Sequence, residues 1–256
     1  MSELFSIQLQ NRQQQGRDGV WLDLPTTTEQ VQAALRQIGI SSDNPQGLFI
    51  SGYFAEEEKR FAIPYNMVLA SNVDELNFLA SRLETLSTGE RAELNAALQA
   101  PQSELFSIGR ITDFPENVDY YVHLPDVHGP AQLGDYYLNR SGMVDMPEEW
   151  KGGIDTAQFG RYVAQQEQGA FTQYGYLVKS GDEWQKVHEG QPVPEEYRVL
   201  SFPAPEVLRD AANIPPPVQP ETEPQKVIPI ILNGKDSAER MKEITDRLET
   251  GIQELF

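Results

Sequence analysis

Histidines and carboxylates are the side chains that could do chemistry in this 256-residue chain, which has no cysteine. The lack of cysteine excludes disulfides, thiolate metal sites and thiol nucleophiles. His123 and His128 are five residues apart and flank Pro125 in a predicted loop, rather than being aligned on one helix face. A zinc site there would need two more ligands, and only carboxylates are candidates. We therefore expect solvated loop histidines, no metal and no cofactor.

Acidic residues are the other candidates for catalysis, because paired carboxylates can hydrolyse glycosidic bonds. Nothing in the spacing distinguishes one pair among the 39 acidic residues. The chain also lacks a Gly-rich phosphate loop, a GxSxG elbow and an HExxH motif. A binding protein that is not an enzyme is the prediction. A carboxylate hydrolase stays as a rival that would need a concave site holding a carboxyl of strongly raised pKa.

The charge balance indicates the class of partner. With 20 basic residues, the formal net charge is −19 at pH 7. Direct contact with nucleic acid needs clustered Lys and Arg, and anionic membranes repel such a chain. The N-terminal residues lack the long apolar stretch of a signal peptide, and no window approaches the roughly 18 apolar residues of a membrane span. We expect a cytoplasmic protein that binds a basic protein partner.

The acids are grouped along the chain. Each group alone is typical of a solvated face. Taken together they suggest a DNA substitute, because duplex DNA carries about one charge per 1.7 Å, so the net charge matches roughly 30 Å of duplex. The candidate partner-binding acids are Glu56, Glu57, Glu58, Asp74, Glu75, Asp113, Glu116, Asp119, Asp126, Asp135, Asp145, Glu148, Glu149 and Asp155.

The elements that must position these acids alternate between strands and helices, which predicts the α+β class. Leucines and Val73 at three- and four-residue steps predict a helix over 73–86, and Ser87 with Glu90 predicts the capping box of a second helix. Strands are predicted at 48–54 and 61–69, and a hairpin at 174–187 that turns at Gly181-Asp182.

An internal repeat suggests how the chain is organised. SELFSI occurs at 2–7 and 103–108, and VWLDLP (20–25) resembles YYVHLP (120–125), each followed by a helix-like run at 29–40 or 131–143. We expect an elongated chain of two to three small α/β modules. The predicted domains are 1–100, with a helical pair, 101–200, and 201–256, with a Pro-rich linker and an amphipathic C-terminal helix. Accidental recurrence of the hexapeptide is the alternative.

Three segments carry a family resemblance. IDTAQFGRYVAQQEQGAFTQYGYLV (154–178), AQLGDYYLNRSGMVDMPEEW (131–150) and SNVDELNFLASRLETL (71–86) occur in the order and with the spacing of the ArdA antirestriction family. The chain resembles that family over about residues 20–190. It departs from the family at Ala157, Tyr162 and Gln173, where acids are usual, and 101–200 would carry the signature.

The resemblance implies an acidic DNA mimic, usually a homodimer of small α/β modules. Such proteins come from plasmids, transposons and phages and occupy the DNA groove of type I restriction-modification enzymes in a bacterial host, without catalysis or a cofactor. Two rivals remain: inhibition of another nucleic-acid-binding defence system such as a CRISPR effector, and a non-enzymatic acidic adaptor that uses the C-terminal helix. Because three acids are missing from the signature, mimicry should rest on 56–58, 74–75 and 113–149.

Overall fold

The computed structural model describes residues 4–14, 18–41, 45–56 and 60–200. The described chain mixes helices with small antiparallel sheets, as the predicted α+β class requires. It divides into two compact units. Within the described ranges, the first unit holds residues up to 98, then 103–117 and 185–200, and the second holds 99–102 and 118–184. None of the helices in these ranges is long and apolar enough to cross a membrane.

The first unit is built on a three-stranded antiparallel sheet with strand order β2-β1-β3. The strands are β1 (Phe5–Asn11), β2 (Val20–Leu24) and β3 (Leu48–Phe54), so the run predicted at 48–54 is confirmed. Alternate side chains of β1 point into the core: Phe5, Ile7 and Leu9 are all buried. This two-residue period is what half-buried strands require.

Helices cover the apolar face of this sheet and pack on one another. They are α1 (Thr28–Gln37), α2 (Tyr65–Ala70), α3 (Val73–Leu83), α4 (Thr88–Gln99) and α5 (Ile108–Thr112). Leu76, Leu79 and Leu83 are fully buried along one face of α3, which confirms that predicted helix. The predicted capping box is also present, because Ser87 N–H donates to Glu90 at 2.7 Å and Glu90 N–H donates to Ser87 Oγ at 3.3 Å.

Residues 185–200, here called the return segment, complete the first unit after the chain has passed through the second. Two buried asparagines hold its backbone. Asn77 donates from Nδ2 to Tyr197 O at 2.9 Å, and Asn117 accepts the N–H of Gln185 at 2.7 Å. Phe78 adds ring contacts to His188 and Tyr197. The segment thereby belongs to the first unit's core.

The second unit joins a small sheet of order β4-β6-β5 to a helix pair. Its strands are β4 (Tyr121–Leu124), β5 (Ala170–Thr172) and β6 (Gly175–Lys179). Its helices are α6 (Pro130–Asp135), which continues as a π-helical turn over Tyr136–Arg140, then α7 (Glu148–Lys151) and α8 (Thr156–Glu167). Leu133, Val163 and Tyr176 form the centre of its core.

Two local predictions are wrong. The run 61–69 is not a strand, because Pro64 lacks the N–H of a sheet ladder and precedes helix α2. A short apolar run does not distinguish strand from helix by periodicity alone. The hairpin does not turn at Gly181-Asp182 either. β6 instead pairs with β5 through a turn at 173–174 and with β4 on its other side.

The hexapeptide repeat adopts different structures in its two copies. Phe5 and Ile7 lie in β1, whereas in the second copy Ser107 is the N-cap of α5 and Phe106 is half exposed. The flanking parts agree better, because VWLDLP and YYVHLP both contain a strand and a helix follows each. The Pro-rich linker and the C-terminal helix predicted for 201–256 lie outside the described residues.

Candidate partner-binding surface

Exposed carboxylates are numerous in the second unit. Residues 118–184 hold ten acidic and four basic side chains, a formal net charge of −6. Six of the predicted acids there are exposed and are here called the exposed acid set: Asp119, Asp126, Asp145, Glu148, Glu149 and Asp155. Such a surface attracts a basic partner over a distance of about one Debye length, roughly 8–10 Å at physiological salt.

Loops and helix ends position the exposed acid set. Asp126 lies in the loop after β4, and Asp145 lies in the loop that leads to α7. Glu148 and Glu149 occupy the first turn of α7, where the helix dipole favours negative charge. Asp155 is the N-cap of α8 and accepts the N–H groups of Ala157 and Gln158 at 2.9 and 3.0 Å.

Some candidate acids are partly neutralised by ion pairs. Glu116 pairs with Arg82, and Asp135 pairs with Arg140 at 3.1 Å. Glu148 pairs with Lys151 at 2.7 Å, although its own side chain stays 82% exposed. The Asp135–Arg140 pair is exposed on both sides, and a pair of this kind contributes about 0–1 kcal/mol.

Two of the predicted acids are buried and hold the return segment. Asp113 is fully buried and accepts the N–H of His188 at 2.6 Å and of Glu189 at 3.3 Å. Asp74 is 8% exposed, and its Oδ1 accepts the N–H groups of Val199 and Leu200, each at 2.7 Å. Burial raises the pKa of Asp74, and the two backbone hydrogen bonds oppose that rise. Neither carboxylate is available to a partner, so both leave the candidate set.

The remaining predicted acids of the first unit divide by position. Glu75 is half-buried and caps α3, since it accepts the N–H of Asn72 at 3.2 Å while Asn72 accepts the N–H of Glu75 at 2.8 Å. Glu56 is exposed at the end of the segment that follows β3. Glu57 and Glu58 lie outside the described residues.

A partly buried carboxyl outside the predicted set lies in the second unit. Glu167, at the end of α8, accepts hydrogen bonds from Tyr137 Oη at 2.5 Å and from Tyr176 Oη at 3.0 Å. Burial raises its pKa, and the two tyrosine hydrogen bonds oppose the rise. A helical signal existed: Gly160, Val163 and Glu167 follow at steps of three and four, so Glu167 shares the buried face of α8.

The histidines have separate structural surroundings. His123 Nε2 lies 2.7 Å from Tyr174 O, His188 packs edge-on against Phe78, and His128 is exposed. Within the described ranges, no group of three or more His, Asp or Glu side chains is arranged to hold a metal ion.

The first unit also contains an open cleft of about 990 Å³ between α2, α3, α5 and the return segment. Its carboxyls include Asp74 and Glu75, which are already occupied by backbone N–H groups. The Phe78 and His188 rings close part of its wall. The raised pKa of Asp74 thus belongs to a carboxyl that secures the fold, which gives the hydrolase reading no support.

The profile of the family described as Antirestriction protein (ArdA) matches residues 15–178. The chain belongs to the ArdA antirestriction family. A search of curated proteins finds no match. Members of the ArdA family act on restriction enzymes, which is consistent with a defence enzyme as the partner.

The ArdA match ends at Val178, within β6. In the second unit, the match includes the helix pair and the whole sheet except Lys179, the last residue of β6. In the first unit, it includes helices α1 to α5 and strands β2 and β3. The return segment lies beyond the match, yet Asp74, Asn77, Asp113 and Asn117, which hold it, lie within the match.

Proposed function

We propose that this ArdA-family protein is a DNA mimic that blocks the DNA-binding groove of type I restriction-modification enzymes. It acts by occupancy, without catalysis and without a cofactor. The observation that carries the proposal is the exposed acid set of the second unit. Glu56 in the first unit adds to the charge that a partner meets.

Charge availability supports this role. Asp119, Asp126, Asp145 and Glu149 make no ion pair with any residue of the described ranges. Their charges are therefore free to pair with the Lys and Arg side chains that line a DNA groove. Because these side chains are solvated, the charges steer association and weaken with salt.

The active form in this proposal is a homodimer in the cytoplasm of a bacterial host. Two copies double the available carboxylates and extend the length of duplex that the protein replaces. Sedimentation or light scattering at micromolar concentration measures the mass directly. A monomer at the concentration that inhibits the enzyme would remove the dimer from the proposal and leave the mimicry intact.

Competition with DNA tests the central claim. A type I enzyme complex is bound to a labelled duplex at low salt, and the purified chain is titrated in. We expect displacement of the duplex, with an apparent affinity that falls steeply as salt rises. Polyglutamate of equal total charge is the control for acidity alone and should displace far less. Failure to displace duplex at low salt would overturn the proposal.

A further inference from the structure

Trp150 is more exposed than any other large hydrophobic side chain of the described residues, at 68%. Two other exposed aromatic side chains have contacts within the fold. Phe54 meets Trp21 edge-on, and Tyr65 donates from Oη to Ser51 O at 3.0 Å. The Trp150 ring has no aromatic partner among the described residues.

The backbone around Trp150 is hydrogen-bonded although it buries little. Helix α7 contributes no buried residue, so the core does not require it. Its turns are closed by hydrogen bonds from Trp150 N–H to Pro147 O at 2.9 Å and from Gly153 N–H to Trp150 O at 3.0 Å. A hydrogen-bonded turn restricts the backbone that carries the indole, which lowers the entropy that a partner must remove on binding.

Carboxylates surround this indole in the sequence. Asp145, Glu148, Glu149 and Asp155 are exposed, and Lys151 is the only base between 145 and 155. Exposed charges on the same segment as a large exposed aromatic side chain suit an interface with an aromatic anchor and a polar rim. The charges set the association rate, and the anchor sets the dissociation rate.

We propose that Trp150 is the anchor by which the second unit is retained on its partner, and that the partner receives the indole in a basic groove against an arginine. The guanidinium stacks on the indole face through a cation–π contact, while neighbouring arginines and lysines pair with the carboxylates. This inference rests on the proposed function, since a DNA-binding groove supplies the clustered arginines.

The test compares binding kinetics of full-length variants on the immobilised restriction enzyme complex. We expect W150A to weaken binding by about thirtyfold, mainly through faster dissociation, because hot-spot tryptophans have losses of this size. The salt dependence of W150A should match that of the wild type, since no charge is removed. W150F should keep a substantial part of the affinity. The control is W21A, which removes a half-exposed indole from the first unit. It should change affinity by less than about threefold.

The outcomes separate this inference from the proposed function. If the wild type does not bind the complex, the proposed function fails first. If the wild type binds and W150A binds within about threefold of it, the anchor is wrong while mimicry stands. Thermal unfolding checks that W150A is folded. If W150A were unfolded, W150F and W150Q would be compared instead. W150Q should then dissociate about thirtyfold faster than the wild type, as expected for loss of the anchor.

Discussion

Gly134 on α6 and Gly160 on α8 lie face to face where the two helix backbones touch. A Cβ on Gly160 would lie 1.8 Å from Pro130 O, and a Cβ on Gly134 would lie 2.0 Å from Thr156 O. Real Cβ atoms do not approach backbone atoms so closely, so both positions require glycine. The Leu-Gly-x-Tyr-Tyr and aromatic-Gly-Arg segments of the sequence thus encode a helix crossing.

Substitution of Gly160 by alanine should separate α6 from α8. Because the clash is with backbone rather than with a movable side chain, we expect G160A to lower the free energy of unfolding by about 3 kcal/mol, the upper end of the usual cost of overpacking. Chemical denaturation followed by tryptophan fluorescence measures the loss. G89A is the control, since Gly89 is helical and a Cβ there meets nothing within 4 Å. It should be neutral or stabilise by up to about 1 kcal/mol. Equal stability of G160A and wild type would contradict the contact.

Replacement of Glu167 by glutamine should change how stability depends on pH. Burial raises the pKa of Glu167 in the folded protein above its ordinary value. The unfolded chain then holds fewer protons at this site, so the wild type loses stability as pH rises from the ordinary carboxyl pKa through the raised one. E167Q cannot ionise and should lack that loss. We expect the unfolding free energy of E167Q to rise relative to wild type as pH increases. A constant difference across pH would contradict a carboxyl of raised pKa at this site.

Removal of the Asp113 carboxylate should loosen the return segment. D113A leaves the N–H groups of His188 and Glu189 without their acceptor, and we expect a loss of about 3 kcal/mol in unfolding free energy. Hydrogen exchange should be faster at these two amides than in wild type. D119A, at an exposed acid six residues away, should change stability by less than about 0.5 kcal/mol. Unchanged exchange at 188 and 189 would argue against the anchoring role.

Neutralising exposed acids of the second unit should reduce both the association rate and the salt dependence of binding. The triple variant D126N/D145N/E149Q removes three charges that make no ion pair within the described ranges. We expect a shallower slope of log affinity against log salt than in wild type. D18N/E195Q/E196Q removes the same total charge from exposed sites of the first unit. If both triple variants lowered the slope equally, net charge rather than the second unit's surface would control binding.

Local patterns predicted the helices better than they predicted the roles of the acids. Periodic leucines and the Ser87–Glu90 box were sufficient for α3 and for the start of α4, because both signals act within a few residues. The strand predicted at 61–69 was wrong because a short apolar run is compatible with either a strand or a helix. Pro64 disfavours a strand there and precedes helix α2. The second SELFSI copy does not form a strand like the first, because Ser107 lies there at the start of helix α5.

The acids could not be sorted from the sequence because their partners are distant along the chain. Asp113 binds amides 75 and 76 residues later, and Asp74 binds amides 125 and 126 residues later. No local rule distinguishes such a carboxylate from an exposed one such as Asp145. Glu167 was different, since its spacing from Val163 on α8 indicated burial. The family signature was recognisable because its glycines and aromatics are fixed by a local helix crossing.

The return segment has a consequence for synthesis on the ribosome. Translation proceeds from the N-terminus, and upstream domains usually fold first. Every described residue of the second unit has been synthesised once residue 184 is added. The first unit then still lacks residues 185–200. The return-segment partners are therefore missing for the side chains of Asp74, Asn77, Asp113 and Asn117. Within the described residues, the unit that begins first is therefore finished last, and a chain truncated after residue 184 and released should expose a protease-sensitive first unit beside a protected second one.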